Sequence, residues 1–206
     1  MDVYVSQLNS GGTHDTFYTD ATIIAAYKNY VNEFVSRYAD DDTIMAWELA
    51  NEPRCTGSTG GSATNCDATG GTTIYDWAEE ISTYIKSIDS NHLVGLGDEG
   101  WFQWADPPTY PYAPGVGIDF EKNLQISTLD FGTFHSYPEV RLNYFFYREL
   151  ALTSFQSWGQ SANESAWGVQ WITDHATAQM TANKPVLLGE AFFAAPKYLS
   201  STDNNI

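Results

Sequence analysis

Two hydrophobic periods alternate along this chain. From Asp20, the residues Ile23, Tyr27, Tyr30, Val31, Phe34 and Tyr38 recur at three- and four-residue spacing, which predicts a helix that Asp20 caps. A second stripe, Ile74, Trp77, Ala78, Ile81, Ile85 and Ile88, predicts a helix from about residue 73 that ends at Asp89. A third runs from about Ala166 to Ala182, with Trp167, Trp171, Ile172, His175 and Ala176 on one face, and His175 reads as core. A short helix is expected over Phe120–Ile126. Between these lie four short apolar runs: 43–50, 92–97, 129–134 and 186–189. Each has the length and composition of a buried strand. Residues 1–19 read as loop with Asp2–Val5 extended, 56–71 as a surface loop rich in Gly, Ser and Thr, and 103–118 as an irregular loop rich in proline and tyrosine. Strands alternating with helices indicate an α/β fold built on a parallel sheet.

The chemistry gathers where the apolar runs stop. The first breaks into Asn51-Glu52-Pro53-Arg54, and Pro53 prevents the ladder from continuing. The second runs into Asp98-Glu99-Gly100-Trp101, the third into His135 and Tyr137, and the fourth into Glu190. In a parallel sheet these C-terminal ends share one rim, where ligands bind. A lone Glu is usually a solvated loop acid, a lone His a structural hydrogen-bonder and a lone Tyr half-buried packing. Two carboxylates that converge across a sugar, one protonated and one ionised, are the equipment of glycoside hydrolysis. No paired-histidine spacing supports a metal, so none is expected.

The 206 residues suit one domain with a sizeable core. A net charge of −17, from 26 acids against nine lysines and arginines, repels phosphate backbones and anionic membranes; neither nucleic acid nor membrane is expected as a partner. A neutral polysaccharide is compatible, and aromatics at 15% suit a cleft in which rings stack on sugars, although most aromatics fill cores. The two cysteines, Cys55 and Cys66, flank a small polar loop and read either as a disulfide in an oxidising compartment or as two free thiols. The sequon Asn163-Glu164-Ser165 fits secretion. There is no signal peptide and no membrane-spanning run in the sequence.

Trp47–Cys55, Gly97–Gly100, Phe134–Pro138 and Glu190 together resemble, in order and spacing, the fungal endo-β-1,4-mannanases of glycoside hydrolase family 5. The resemblance covers nearly the whole chain; Asn-Glu-Pro marks the wider clan, Arg54-Cys55 and Gly-Asp-Glu-Gly the mannanase branch. It implies a (β/α)8 TIM barrel and a retaining mechanism, with Glu52 as general acid/base and Glu190 as nucleophile. It implies that Asn51 binds a sugar hydroxyl, that Arg54 contacts the leaving-group sugar, that His135 and Tyr137 hold the nucleophile side, and that Cys55 and Cys66 are bridged. It implies a secreted monomer that acts on mannan, glucomannan or galactomannan without a cofactor. A family 5 β-1,4-glucanase is the first alternative, and a non-catalytic carbohydrate-binding or inert fragment the second.

Against the family pattern, 1–206 reads as a partial catalytic domain covering roughly strands 4 to 7, because a barrel takes about 250 residues. Such an open arc is expected to fold poorly on its own. Ala191, Phe192 and Phe193 depart from the pattern after Glu190, and 194–206 form a tail unlike the family. Residues 140–156 interrupt a loop that the family runs directly from Tyr-Pro to Trp-Gly. Valine codons begin GT and one glutamine codon is CAG, so Val140 and Gln156 have the borders of a short intron retained in frame; the alternative is an amphipathic lid. Sequencing the transcript is expected to show Glu139 joined to Ser157. A spliced message that still encodes 140–156 overturns the intron reading.

Overall fold

The computed structural model describes residues 1–57, 63–137 and 164–191. Six helices and four strands are assigned among them: α1 (Asp2–Leu8), α2 (Thr16–Thr19), α3 (Ala21–Tyr38), β1 (Ala46–Glu48), α4 (Thr72–Ile88), β2 (Leu93–Gly95), α5 (Phe120–Asn123), β3 (Gly132–Ser136), α6 (Glu164–Ala182) and β4 (Val186–Ala191). The suspected insertion 140–156 and the tail 194–206 lie outside the described residues.

The strands run parallel in chain order. β1 pairs with β2 from Ala46↔Leu93 to Glu48↔Gly95. A bridge between Gly95 and Phe131 joins β2 to the approach of β3, and β3 pairs with β4. The expected parallel α/β architecture is therefore present. The β1–β2 ladder also continues past the strand ends. Leu49 and Ala50 donate to the carbonyls of Gly95 and Leu96, and Glu52 donates to Gly97 at 2.8 Å. Gly97 sits at φ +86°, and a Cβ there would lie 2.0 Å from the Ala50 carbonyl, so only glycine lets the two turns approach.

Local chemistry accounts for the helices. Asp20 caps α3, accepting from the Thr22 and Ile23 amides at 2.8 and 3.1 Å. Ile74, Trp77, Ala78, Ile81 and Ile85 of α4 are all buried, and pack with Ile23, Val31 and Val35 of α3 over Trp47, Leu49, Val94 and Leu96 from the sheet. A second, aromatic core of Phe102, Tyr112, Phe120, Phe134, Trp167 and Trp171 sits beneath α6. His175 is fully buried there, as expected, and stacks on Phe134 with centroids 4.2 Å apart.

Three sequence expectations are corrected. Residues 1–19 are not loop, and Asp2–Val5 is helical: α1 and α2 occupy most of the segment. Val5 is the buried residue of α1 and packs against the core. Ile172 and Ala176 leave the predicted buried face; both are exposed, Ile172 at 41%. Tyr30 and Phe34, placed in the stripe of α3, are half exposed and stack on each other.

Away from the rim, Asp89 ties three elements together. Its carboxylate accepts from the Trp47 indole at 2.7 Å, the His92 ring at 2.6 Å and the Asn91 amide at 2.8 Å. The other His92 nitrogen is 3.0 Å from the Asp41 carbonyl, an arrangement that suits a doubly protonated ring. Burial would raise the Asp89 pKa, but the Trp47, His92 and backbone bonds outweigh it and hold it down at about 2. The His92 pKa is raised, chiefly by its bond to Asp89. Asp89 therefore adds stability that is complete above the unfolded carboxylate range and lost as pH falls towards 2. His92 adds stability that is present below 6.5 and lost as pH rises through its raised folded value. Asp89→Asn is expected to cost about 1–3 kcal/mol at neutral pH. Thermal melts should show its deficit shrinking below about pH 4; a deficit that persists at low pH refutes the assignment.

Candidate active site

The candidate residues meet at the C-terminal ends of the strands. Glu52 follows β1 at φ +49°, a left-handed conformation that strains a non-glycine residue and is anchored here by the bond to Gly97. His135 lies within β3, buried, and its carbonyl accepts from the Trp171 indole of α6 at 2.7 Å. Glu190 lies within β4. The β3–β4 register shifts between Phe134 and His135, so that His135 pairs with Glu190 and Phe134 with Leu188, leaving Gly189 extra. Without that bulge His135 would face Gly189, and the carboxylate would sit beside Ser136.

The geometry joins residues far apart in the chain. His135 Nδ1 is 2.9 Å from Glu52 Oε1 and 3.8 Å from Glu190 Oε2. Tyr137 donates its hydroxyl to Glu190. One atom each of Glu52, His135 and Glu190 lie within 4.8 Å of one another. Such a cluster has donors for a metal, but the Arg54 guanidinium stands 3.7 Å from Glu52, and the His135 ring is bonded to the same carboxylate. Arg54 is shared with Glu99, and His135 lies between the two carboxylates.

Arg54 is held from three sides. Its Nε and Nη2 make a two-pronged contact with the buried Glu99 carboxylate, the Nε arm at 2.6 Å. Its guanidinium lies over the Trp101 ring, 5.2 Å from the centroid. The Tyr18 hydroxyl bonds both its amide and its carbonyl at 3.0 Å. Cys55 and Cys66 are disulfide bonded, and the Cys55 amide donates to Val116, which fixes the chain just beyond Arg54. Asn51 is exposed on the same turn.

Charges on the rim are coupled. The hydrogen bond from His135 lowers the Glu52 pKa, against burial and with help from Arg54. Burial alone would lower the His135 pKa; the bond to Glu52 and the charges of Glu190, Glu52 and Glu99 raise it instead. Both shifts favour the proton on His135 over Glu52 within this pair. Burial pushes the Glu99 carboxyl up against the pull of Arg54. The fully buried Asp98 is pushed up to about 7 by burial, despite bonds from Asn123 and the Gly100 amide.

Glu52, Arg54, His135, Tyr137 and Glu190 thus join one linked cluster, whereas Asp98, expected at a strand end beside them, is buried. Sequence reasoning noted Glu99 at a strand end but gave it no role; the signal was its place in the same kind of polar turn as Glu52. Trp101 and Trp171 were noted only as a strand-end aromatic and a helix-face residue, and Tyr18 was missed, because each acts by packing or by a bond to backbone.

The family model described as cellulase (glycosyl hydrolase family 5) matches residues 5–194. Among curated relatives, mannan endo-1,4-beta-mannosidase A of Aspergillus aculeatus is 44% identical over 191 residues, which are 92% of this chain and 42% of that protein. Its namesake from Hypocrea jecorina is 43% identical over 190 residues, 92% of this chain and 36% of the relative. The chain thus spans about two-fifths of the length of the curated relatives it matches. Among solved structures, the endo-1,4-beta-mannanase from Rhizomucor miehei superimposes with a TM-score of 0.78 at 42% identity, covering 95% of this chain and 51% of that one. The endo-beta-1,4-mannanase from Thermotoga petrophila gives 0.74 at 38% identity, covering 93% and 38%.

The Glu52–His135 bond can be tested directly. The His135 ring is expected to titrate above 6.5 by NMR, and its midpoint to fall in Glu52→Gln, which removes both the acceptor and the charge. A midpoint unmoved by that substitution would contradict the arrangement.

Proposed function

The chain belongs to glycosyl hydrolase family 5, and on that footing we propose that it carries the catalytic centre of a secreted, retaining endo-β-1,4-mannanase. The observation that carries the reading is the convergence of Glu52 and Glu190, from strands at opposite ends of the described sheet, to within 4.8 Å of each other and of His135. Retaining hydrolysis needs carboxyl groups about 5–5.5 Å apart, close enough for a covalent intermediate. Glu190 attacks the anomeric carbon while Glu52 protonates the departing oxygen. Glu52 then takes a proton from the water that releases the glycosyl group. Tyr137 orients the nucleophile through its bond to Glu190.

The resting position of the proton on His135 gives that residue a role in the first step. A general acid must hold a proton when the bond breaks. As sugar fills the cleft and displaces water from Glu52, the carboxylate becomes a better base. The proton then crosses the 2.9 Å bond from His135 to Glu52.

We read the four strands as the fourth to seventh of a (β/α)8 barrel. Mannan, glucomannan or galactomannan is the substrate class, in keeping with the mannanase names of the relatives. Arg54 contacts the leaving-group sugar, and Asn51 binds a hydroxyl of the sugar being cleaved.

Glu52→Gln and Glu190→Gln are each expected to lower mannan hydrolysis by about 10³-fold or more, measured as reducing ends released. Activity retained by either variant removes that residue from the mechanism. Faster turnover of cellulose than of mannan favours a β-glucanase instead.

A further inference from the structure

One exposed aromatic on the rim is built like a binding surface. Tyr110 opens a 3-10 turn, Tyr110–Tyr112, within the loop that follows β2. It is 41% exposed, yet its ring packs edge-on against Trp101, with centroids 4.6 Å apart at 90°. The loop holds it still. Phe102 donates to the Pro111 carbonyl at 3.1 Å and Trp104 to that of Tyr112 at 2.9 Å, while the Trp167 indole reaches Thr109 from α6 at 3.1 Å. The next residues inward, Pro111 and Tyr112, are buried. A half-exposed ring on such a fixed base is ordered before any ligand arrives, so binding costs it little conformational entropy.

Its neighbours point to the ligand. The same Trp101 ring that supports Tyr110 lies beneath Arg54. Arg54 uses Nε and Nη2 on Glu99, leaving other N–H groups for hydroxyls, and it stands 3.7 Å from Glu52. The rim beside the acid/base thus combines a flat apolar face with a fixed donor. A β-linked hexopyranose offers the complement, a face of C–H groups and an edge of hydroxyls.

We infer that Tyr110 is a stacking platform for a pyranose on the leaving-group side of the scissile bond, working beside Arg54. This rests on Glu52 as the acid that protonates the leaving oxygen. Binding energy gathered on that side helps hold the leaving sugar in line, so Tyr110 contributes to specificity for chains over short substrates.

The test compares β-1,4-mannotetraose with β-mannobiosyl fluoride, whose leaving group carries no ring. Tyr110→Ala and Tyr110→Leu are expected to raise KM for mannotetraose about tenfold, the loss of one good contact, and to leave the fluoride unchanged. Tyr110→Phe keeps the ring and should retain wild-type KM. Tetraose KM within about twofold of wild type in the Ala and Leu variants, or equal losses on both substrates, overturns the platform. Calorimetric titration of the full chain with mannotetraose separates the two readings. Wild-type binding that weakens in Tyr110→Leu upholds the platform even if no hydrolysis is seen, in which case the catalytic reading alone falls. No binding by the wild-type chain removes both.

Discussion

The hydrogen bond between His135 and Glu52 joins residues 83 positions apart and depends on nearly everything else in the fold. It forms only if β1, β2 and β3 lie parallel and in register, so that their ends meet. It also needs Gly97 to admit the Glu52 turn and Trp171 to hold the His135 backbone from α6. A slip of one residue in any strand would turn these side chains to the other face. The site is thus a readout of sheet register.

The electrostatics follow from the same placement. A chain of net charge −17 brings several acids to one rim, where one arginine and one histidine face them. Arg54 faces Glu99 and Glu52, and His135 faces Glu52 and Glu190. Behind them, Asp98 lies in the core and binds the Gly100 amide and Asn123, shaping the turn that presents Glu99. Gly100 sits at φ +82° and packs so closely on His175 that a Cβ would come within 2.2 Å of its ring. That turn therefore couples the aromatic core under α6 to the charge network above it.

Much of this was legible in the sequence, for physical reasons. The stripes of α3, α4 and α6 repeat long enough to define a helix, and apolar runs ending in polar residues mark parallel strands that deliver chemistry to a rim. The Asn51-Glu52-Pro53-Arg54 turn, His135, Tyr137 and Glu190 were found on that ground. Helix α1 was not, because its residues carry no periodic stripe and its helicity is set by contact with the core. The Arg54–Glu99 pair was not, because pairing between two turns depends on how adjacent strands are staggered. The bulge before Glu190 was hidden for the same reason: an extra residue in a ladder shows only once the partner strand is known. For residues 140–156 and 194–206 the sequence reading stands alone, since they lie outside the described residues.

The disulfide has a further meaning once its surroundings are considered. On the Cys55 side the backbone is clamped by Val116 and by the Tyr18 hydroxyl at Arg54; on the Cys66 side the Asp15 carboxylate takes the amides of Thr64 and Asn65. Both stems of the intervening segment are thus tied to the body of the protein independently of what lies between them. The position of the Arg54 guanidinium is therefore set by ties that do not pass through the segment between the cysteines.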